Sequence, residues 1–380
     1  MKKILIVGGS HSEIPLITAA KELGLYVITT GNQPYGLGHT YADEFHLKDY
    51  ADNEGIYQLA KKLKVDYITF GAHDLSMFST VYTAEKLNID TFDNYETTKI
   101  LHHKDSFKAF AKKHNILTPI AHAFNNETEA VFFAKSFPLP FIVKPTDMGG
   151  GKGIQVVHTF TQIHSAIQNA FSHSKNKSIV IESFFKGSLH SFSTFIQNQK
   201  VVFYYADNEY PCPHNPYGVC TSTSPATNFD QIKEILLEQT NKVAKLLNLK
   251  DGLLHMQYLQ HNNTITTIEY TRRMPGDMYN VPVEHSTGID YAKNIIRFSC
   301  GLPVAIDFTP QKKFVSRHCI VSNTFNSIIY QKKISHNIFD KLIWGNRQRI
   351  EKKGIIFLEY NSYEEMIEKT QKLHQLITIR

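Results

Sequence analysis

Short apolar runs alternate with helix-spaced segments over the first ninety residues. Lys2 to Val7 is an apolar run that ends at Gly8-Gly9, as a buried parallel strand does before a tight turn. Ser12 to Leu23 carries apolar residues at helical spacing and stops at Gly24. The same analysis predicts strands at 25–29 and 67–70 and helices at 53–63 and 76–87. This α/β alternation predicts a doubly wound parallel sheet.

The remaining chain changes to a mixed α+β pattern. Helices are predicted at 104–114, 161–172, 231–247 and 362–374, and apolar strands at 141–143 and 179–181. A strand pair is predicted at 253–260 and 265–271, with Asn262 and Asn263 at the turn. We therefore expect three units: residues 1–98, residues 99–305, and a small carboxy-terminal α+β lobe at 306–380.

Composition excludes several classes of protein. A hydrophobic fraction of 42% with 20% charged residues is ordinary for a globular protein and argues against disorder. The net charge of +6 over 380 residues is too small and too dispersed to indicate a nucleic-acid binder. No run approaches the roughly eighteen apolar residues of a membrane span. The four cysteines show no framework spacing, so we expect a reducing cytoplasm.

The sharpest motif is an apolar strand that delivers a lysine into a glycine-rich loop. Phe141-Ile-Val-Lys144-Pro145 is followed by Thr-Asp-Met and then by Gly149-Gly150-Gly151-Lys152-Gly153. Glycines let backbone N–H groups approach phosphate oxygens, and lysine neutralises their charge. The loop is not a Walker A motif, because Gly153 stands where Ser or Thr is required. A hairpin loop with a solvated lysine is the alternative interpretation.

A second motif, Ile179-Val-Ile-Glu182-Ser-Phe-Phe-Lys-Gly, is a strand that ends in an acid. Such a strand end can present main-chain groups to an adenine edge, and Glu182 can accept from the exocyclic amine. Taken alone, the segment favours an ordinary strand end with an exposed glutamate.

The third motif is the strand pair that carries Gln257 and Glu269. If the connecting loop is 262–264, Gln257 lies directly opposite Glu269, and Thr271 follows on the same face. Clustered oxygen ligands suit magnesium, and the next residues, Arg272 and Arg273, can stabilise charge on a transferring phosphoryl group. The alternative is a solvated hairpin with surface ion pairs.

Loops after the first strands are expected to form a ligand crevice. The turn Gly8-Gly9-Ser10-His11-Ser12-Glu13 lacks the glycine spacing of a dinucleotide fingerprint, which disfavours an oxidoreductase. The candidate substrate contacts are Ser10, His11, His73 and Asp74. Ordinary solvated loop residues are the alternative interpretation.

In this order, the motifs resemble those of the ATP-grasp superfamily, which includes biotin carboxylase, phosphoribosylglycinamide and carbamoyl-phosphate enzymes and D-alanine–D-alanine ligase. The matching segments run from His-Lys104-Asp-Ser-Phe-Lys through Asp251-Gly-Leu-Leu-His-Met-Gln257 to Ile-Glu269-Tyr-Thr271-Arg272-Arg273. The resemblance covers roughly residues 1–305 and, more loosely, the last lobe. It implies a Rossmann-like preATP-grasp domain, a two-lobed ATP-grasp domain and a small mixed lobe.

The resemblance also implies roles for individual residues. Lys144 and Arg273 would be catalytic, Gln257, Glu269 and Thr271 would bind Mg²⁺ or Mn²⁺, and Arg272 would join the substrate contacts. The glycine loop would close over ATP as a lid. The residues expected to bind ATP are Lys104, Lys144, Gly149, Gly150, Gly151, Lys152, Gly153, Glu182, Ser183, Phe184, Phe185 and His190.

Three positions depart from the family pattern. Gln257 stands where glutamate is more usual, Thr271 where asparagine is usual, and Leu189 near the usual ribose-binding acid, where the neighbouring His190 is the substitute. The resemblance implies an ATP-dependent carboxylate–amine ligase that forms an acyl phosphate and releases ADP and phosphate. A carboxylase or carbamoyl-type enzyme and a nucleotide-binding regulatory protein with weakened turnover stay open. The expected partners are small-molecule carboxylates and amines, neither nucleic acid nor membrane, and a homodimer is the default assembly.

Overall fold

The computed structural model describes residues 1–148, 151–212, 215–308, 313–321, 328–330, 332–344 and 352–379. Near the amino terminus, four strands form a parallel sheet in the order β3-β2-β1-β4. Helices cover both faces, which confirms the predicted doubly wound sheet. The elements are β1 (Lys3–Val7), α1 (Ile14–Glu22), β2 (Tyr26–Gly31), β3 (Glu44–Leu47), α2 (Asn53–Leu63), β4 (Tyr67–Phe70) and α3 (Asp74–Lys86).

A second, antiparallel sheet has the order β5-β8-β6-β7 and packs two helices, α6 and α7, on one face. Helices α4 and α5 lead into it from the first unit. The elements are α4 (Tyr95–His102), α5 (Lys104–Lys113), β5 (Ala121–Phe124), α6 (Glu127–Ala134), β6 (Phe141–Pro145), β7 (Gln155–Val157), α7 (Ile163–His173) and β8 (Ile179–Ser183). Because Phe141, Val143 and Ile181 face these helices, the intervening residues face the opposite side.

The largest sheet has the order β13-β12-β9-β10-β11-β14-β17-β16. Strands from the expected carboxy-terminal lobe extend it, because β14 pairs with β11. Its elements are β9 (Ser188–Gln197), β10 (Lys200–Cys212), β11 (Asn215–Ser224), α8 (Phe229–Leu246), β12 (Gly252–His261), β13 (Thr264–Thr271), α9 (Asn280–Thr287), α10 (Tyr291–Ser299) and β14 (Phe314–Val321). The last elements are β15 (Ile328–Tyr330), α11 (Lys332–Ser335), β16 (Ile338–Ile343), β17 (Lys352–Tyr360), α12 (Tyr363–Gln371), α13 (Leu373–Leu376) and β18 (Ile377–Ile379).

The first unit and the large sheet share one hydrophobic core. Ile4 and Ile6 of β1 belong to the same buried cluster as Phe195 and Phe203 of the large sheet, with Tyr291 of α10 between them. Burial of apolar surface is the main favourable term in folding, so this cluster fixes the parallel sheet against one face of the large sheet. Loops at the ends of β1 and β4 are thereby held next to the segment that follows β13.

The predicted pairing of Gln257 with Glu269 is confirmed, although the predicted three-residue loop is wrong. The turn contains only Asn262 and Asn263, since His261 already pairs with Thr264. A β-bulge between the pairs at Gln257 and Tyr258 adds the missing residue on β13 and restores the expected register. Asn262 has φ 51°, a conformation that asparagine tolerates better than most residues.

The cysteines depart from the expectation of unpaired thiols. Cys212 and Cys220 form a disulfide across the hairpin of β10 and β11, while Cys300 and Cys319 are free and buried. The antiparallel strands bring the two sulfurs together, a proximity that sequence spacing alone does not reveal.

No helix within the described ranges is long and apolar enough to cross a lipid bilayer.

Removing the Phe195 side chain tests the shared core. Phe195 is fully buried and its ring packs against those of Phe203, Tyr291 and Phe298. We expect Phe195→Ala to lower the free energy of unfolding by about 3–5 kcal/mol in denaturant titration, because it leaves a cavity. Phe132→Ala is the matched control: Phe132 is 81% exposed, so its loss should change stability little. Equal effects of the two substitutions would contradict the packing described.

Candidate active site

An ion pair between Lys144 and Glu182 lies on the face of the second sheet that points away from α6 and α7. Ile142 pairs directly with Glu182, and Lys144 with Val180, so Lys144 and Glu182 are diagonal neighbours on one face. Lys144 Nζ donates a 2.6 Å hydrogen bond to Glu182 Oε2, and both side chains are largely buried. The predicted phosphate-binding lysine and the predicted adenine-binding acid are therefore in contact.

A second buried lysine, Lys108 of α5, completes this group. Its ammonium donates to Thr118 Oγ1 at 2.5 Å and to the Thr267 carbonyl at 3.4 Å, and lies 3.7 Å from Glu182 Oε1. Burial lowers the pKa of Lys108 to about 8, although Glu182 opposes this shift. Burial would raise the pKa of Glu182, but Lys108 and Lys144 outweigh it and hold that pKa at about 2. The carboxylate is thus ionised between two cations.

Sequence reasoning did not single out Lys108, although it is the last residue of the quoted His-Lys-Asp-Ser-Phe-Lys segment. The available signal was its position four residues after Lys104, which places both lysines on one side of the helix.

Lys108 also connects the second sheet with the strand that carries Glu269. The carbonyl it binds belongs to Thr267, two residues before Glu269 on β13. Glu269 is close enough to raise the pKa of Lys108, in opposition to the larger effect of burial. The Lys144–Glu182 pair and Glu269 therefore lie around the same buried ammonium group.

The Gln257–Glu269 pair suits a magnesium ion carried on a nucleotide. One carboxylate and one amide oxygen are directly opposed, and Mg²⁺ usually takes one or two protein carboxylates and completes its shell with phosphates and water. Among the described residues, no three His, Cys, Asp or Glu side chains cluster as a self-sufficient metal cage. Thr271 is placed differently: its buried hydroxyl donates to the sulfur of Met77 in α3 at 3.5 Å.

Arg273 contacts another predicted site residue, Asp74. Arg273 Nε donates to Asp74 Oδ1 at 2.7 Å, and Arg273 Nη2 lies 2.6 Å from the same oxygen. Burial opposes ionisation of Asp74, but Arg273 and His102 hold its pKa well below the usual range. The pair joins the start of α3 to the end of β13 beside Glu269.

Comparisons with known proteins agree with this arrangement. The family model described as "Phosphoribosylglycinamide synthetase, ATP-grasp (A) domain" matches residues 102–277. That range contains Lys104, Lys108, the glycine loop, Glu182 and the Gln257–Glu269 pair. Residues 102–277 therefore match an ATP-grasp domain.

Relatives with known names support this assignment at low identity. The chain is 23% identical over 406 residues to the formate-dependent phosphoribosylglycinamide formyltransferase of Saccharolobus solfataricus, covering 100% of this chain and 97% of that protein. It is 20% identical over 415 residues to the carbamoyl phosphate synthase large chain of Clostridium botulinum, covering 99% of this chain. It spans only 38% of that synthase, well under half its length.

A solved structure shows the same fold over the whole chain. The L-amino acid ligase from Bacillus licheniformis superposes with a TM-score of 0.84 at 16% identity, covering 100% of this chain and 98% of that one. The predicted fold, an α/β unit followed by α+β units, is thereby confirmed.

The ATP-grasp glycine loop is described from Gly151 onward, whereas Gly149 and Gly150 lie outside the described residues. Gly151 and Gly153 have φ values of 78° and 71°, which favour glycine. A Cβ at Gly151 would overlap Tyr217 of β11, and one at Gly153 would lie 2.8 Å from both Pro145 and His173. Lys152 is exposed, and Lys104 donates to the Met148 carbonyl at 2.9 Å, at the base of the loop.

The predicted adenine-binding segment is held by main-chain bonds. Ser183 N–H donates to the Ile120 carbonyl at 2.9 Å, and Ser183 Oγ accepts from the Ile120 N–H at 3.1 Å. Phe184 N–H donates to the Pro140 carbonyl at 3.4 Å. Phe184 is exposed and Phe185 half-buried. These contacts order the strand end, and binding of adenine there stays a prediction.

His190 of β9 and Gln257 of β12 point to opposite faces of the large sheet. Gln257 pairs with Ser191, the residue next to His190, and adjacent residues of a strand point to opposite faces. The His190 ring stacks on Tyr258 with centroids 5.2 Å apart, and Ser188 Oγ lies 2.6 Å from its Nε2. Burial lowers the pKa of His190 to about 4. Its predicted contact with ribose stays a prediction.

The four substrate candidates of the first unit divide into two pairs. Ser10 and His73 act locally: Ser10 forms a capping box with Glu13, and His73 Nδ1 accepts from the N–H of Leu75 at the start of α3. His11 and Asp74 instead reach the ATP-grasp core, His11 through Asp277 and Asp74 through Arg273.

Arg272 is turned to a different part of the structure. Its guanidinium pairs with Asp93 at 2.8 Å and donates to the Lys250 carbonyl at 2.6 Å, and the side chain is 7% exposed. These contacts join the first unit to the large sheet, and nothing in the geometry adds support to a substrate role.

Sequence reasoning missed a charged cluster around Asp277. Three basic residues from three segments contact this carboxylate: His11 at 3.2 Å, Arg317 of β14 at 3.7 Å and Lys352 of β17. Burial would raise the pKa of Asp277, but Lys352, His11 and Arg317 hold it far below its usual range. Trp344 stacks on His11 with ring centroids 4.3 Å apart.

Acid titration tests the Glu182 ion group. The pKa of Glu182 is about 2 against an ordinary value of 4.5, so its stabilisation is complete above pH 4.5 and is lost as pH falls toward 2. We expect the wild-type protein to lose about 3 kcal/mol of unfolding free energy through this group over that window. Glu182→Gln should be less stable at neutral pH and should show a shallower pH dependence there, measured by denaturant titration. An unchanged slope would contradict the pairing.

Substitution of Gly151 tests contact between the lid and the hairpin. Gly151→Ala should overlap Tyr217, an overpacking cost of about 1–3 kcal/mol, and weaken ATP binding roughly tenfold in calorimetry. Gly24→Ala is the matched control, because Gly24 has a similar φ of 75° but no atom within 4 Å of an added Cβ. Both variants carry the left-handed backbone cost, and only Gly151→Ala should impair nucleotide binding. Equal ATP affinities would contradict the contact.

Proposed function

We propose that the protein is an ATP-dependent carboxylate–amine ligase that works through an acyl phosphate and releases ADP and phosphate. The observation that carries the proposal is that Lys108 lies beside the Lys144–Glu182 pair and also binds the Thr267 carbonyl of the strand that carries Glu269. The fold similarity to an L-amino acid ligase supports the choice of an amine as the second substrate.

The lysine group explains how the cleft accepts a triphosphate. Lys144 is paired with Glu182, and a phosphate would compete for its ammonium group. If Lys144 turned to ATP with no other cation present, Glu182 would be left as an unpaired buried charge, which is strongly destabilising. Lys108, 3.7 Å from the other carboxylate oxygen, stays in place and keeps Glu182 compensated. Lys104 at the loop base adds a third positive charge.

In the first step, a carboxylate oxygen of the substrate attacks the γ-phosphorus of ATP, and the bond between γ-phosphorus and the bridging oxygen breaks. The electron pair leaves with ADP, and the product is an acyl phosphate. Lys144 and Arg273 stabilise the negative charge that spreads over the transferring group. Arg273 is held by Asp74 before substrate binds, so its guanidinium is already oriented.

A magnesium ion, when bound with ATP, neutralises phosphate charge and polarises the γ-phosphoryl group. Glu269 and the Gln257 amide oxygen are the residues that would hold it.

In the second step, the amine nitrogen attacks the acyl carbon, phosphate leaves with the bonding electrons, and the nitrogen loses a proton. The acyl phosphate must be protected from water, which would hydrolyse it. A loop that packs against Tyr217 of the β10–β11 hairpin is positioned to exclude solvent when it closes.

An ADP-release screen tests the proposal. The protein is incubated with ATP and Mg²⁺ and with pooled carboxylic acids and amino acids, with bicarbonate and formate in separate reactions. We expect ADP and phosphate only when a carboxylate and an amine are both present. Turnover with bicarbonate or formate alone would favour a carboxylase or carbamoyl-type enzyme, and tight ATP binding without turnover would favour a regulatory protein. Either result would contradict the proposal.

Arg273→Ala supplies the mechanistic check on that activity. Removing a preorganised donor to the transition state should lower kcat by on the order of 10²–10³-fold with little change in ATP affinity. Arg297→Ala on α10 is the arginine control and should retain wild-type turnover. A loss confined to ATP binding would show that Arg273 acts before the chemical step.

A further inference from the structure

Glu209 of β10 accepts a short hydrogen bond from Gln257, and no sequence motif predicts this contact. Gln257 Nε2 donates to Glu209 Oε2 at 2.6 Å, and Glu209 is only 7% exposed. A carboxylate so deeply buried requires compensation by a hydrogen bond, a cation or both.

The strand register places Glu209 in line with the metal-binding pair. On one face of the large sheet, Glu269 lies opposite Gln257, Gln257 opposite Ser191, and Ser191 opposite Asp207. Glu209 is two residues beyond Asp207 on β10, so it projects from the same face. Glu209 and Glu269 therefore flank Gln257 from its two sides.

This face also holds a second buried acid, Asp207. Asp207 Oδ2 is completely buried and has no hydrogen-bond partner within the described structure. Arg317, a buried cation, donates to the Gly276 carbonyl at 3.0 Å and pairs with Asp277 at 3.7 Å. A cation in front of Gln257 would place positive charge beside these buried acids.

The hydrogen bond also determines which atom Gln257 offers to such a cation. Glu209 Oε2 accepts from the amide NH2 group of Gln257, so that group is turned toward Glu209. The amide oxygen is bonded to the same carbon and therefore projects away from Glu209. Without Glu209, the NH2 group is free to turn toward the ion and repel it.

We propose that Glu209 is a positioning residue for the metal–nucleotide site: by accepting a hydrogen bond from the Gln257 amide, it orients the amide oxygen of Gln257 as a metal ligand. The proposal rests on the proposed function, because it assumes that Gln257 and Glu269 bind a nucleotide-borne divalent cation. It explains how the position occupied by Gln257 tolerates an amide where the family more often has a carboxylate.

The Asn280–Glu284 pair serves as a control for a purely structural role of the Gln257–Glu209 pair. Asn280 Nδ2 donates to Glu284 Oε2 at 2.8 Å in α9, so it too is an amide–carboxylate pair with a largely buried acid. Glu284 accepts in addition from the N–H of Ala292, which ties α9 to α10. Glu284→Gln therefore reports the cost of neutralising such a pair away from the metal site.

The experiment measures Mn²⁺ binding by electron paramagnetic resonance in the presence of a non-hydrolysable ATP analogue, with thermal unfolding of each variant alongside. Glu209→Gln keeps the size and one acceptor, and it should weaken Mn²⁺ binding by on the order of tenfold or more. Glu284→Gln should leave Mn²⁺ affinity at the wild-type value. Wild-type affinity in Glu209→Gln, or equal losses in both variants, would overturn the proposal.

An exchanged pair keeps the test informative if Glu209→Gln is unstable. The double variant Gln257→Glu/Glu209→Gln contains the same two groups in exchanged positions, and it should bind Mn²⁺ at least as tightly as wild type. Failure of the exchange to restore binding would contradict the positioning role. If the wild-type protein itself bound no Mn²⁺–nucleotide, the proposed function would fail, which is distinct from wild-type binding that is insensitive to Glu209.

Discussion

One buried ammonium group, that of Lys108, joins the second sheet to the large sheet. It lies between Glu182 of the second sheet and the Thr267 carbonyl of β13. The charge of Glu269 also raises its pKa, in opposition to burial. Burying a charge is costly unless it is paired and hydrogen-bonded, and Lys108 satisfies both conditions only when α5, β8 and β13 meet correctly. The placement of Lys144 against Glu269 follows from this one constraint, since each lies beside a partner of Lys108.

Charge compensation also links the cleft to the rest of the chain. Arg273 is paired with Asp74 of α3, and Asp277 gathers basic residues from the first unit, β14 and β17. Each contact joins segments far apart in sequence, so the reacting region is assembled where several units meet. A shared hydrophobic core beneath them holds the parallel sheet against the large sheet, which keeps these charged groups at fixed separations.

The sequence revealed elements whose apolar residues follow a regular period. Helix α2 and strand β4 were predicted at their observed bounds, and Gln257 was correctly placed opposite Glu269. Strands β9 to β11 were missed because several interior positions are polar, including Ser191, Asp207 and Glu209, and so lack an apolar alternation. Lys108 was overlooked because a lysine on an amphipathic helix is normally solvated. Its burial, like the Arg272–Asp93 pair, depends on residues distant in the chain.

The central claim is that Lys144 and Glu269 act on the same triphosphate. A crystal structure with a non-hydrolysable ATP analogue and Mn²⁺, with the metal located by its anomalous scattering, tests this most directly. The account predicts Mn²⁺ bound to a carboxylate oxygen of Glu269 and to the phosphates, with Lys144 in hydrogen-bond contact with a phosphate oxygen and Lys108 still beside Glu182. A nucleotide bound elsewhere, or a metal that does not touch Glu269, would contradict it.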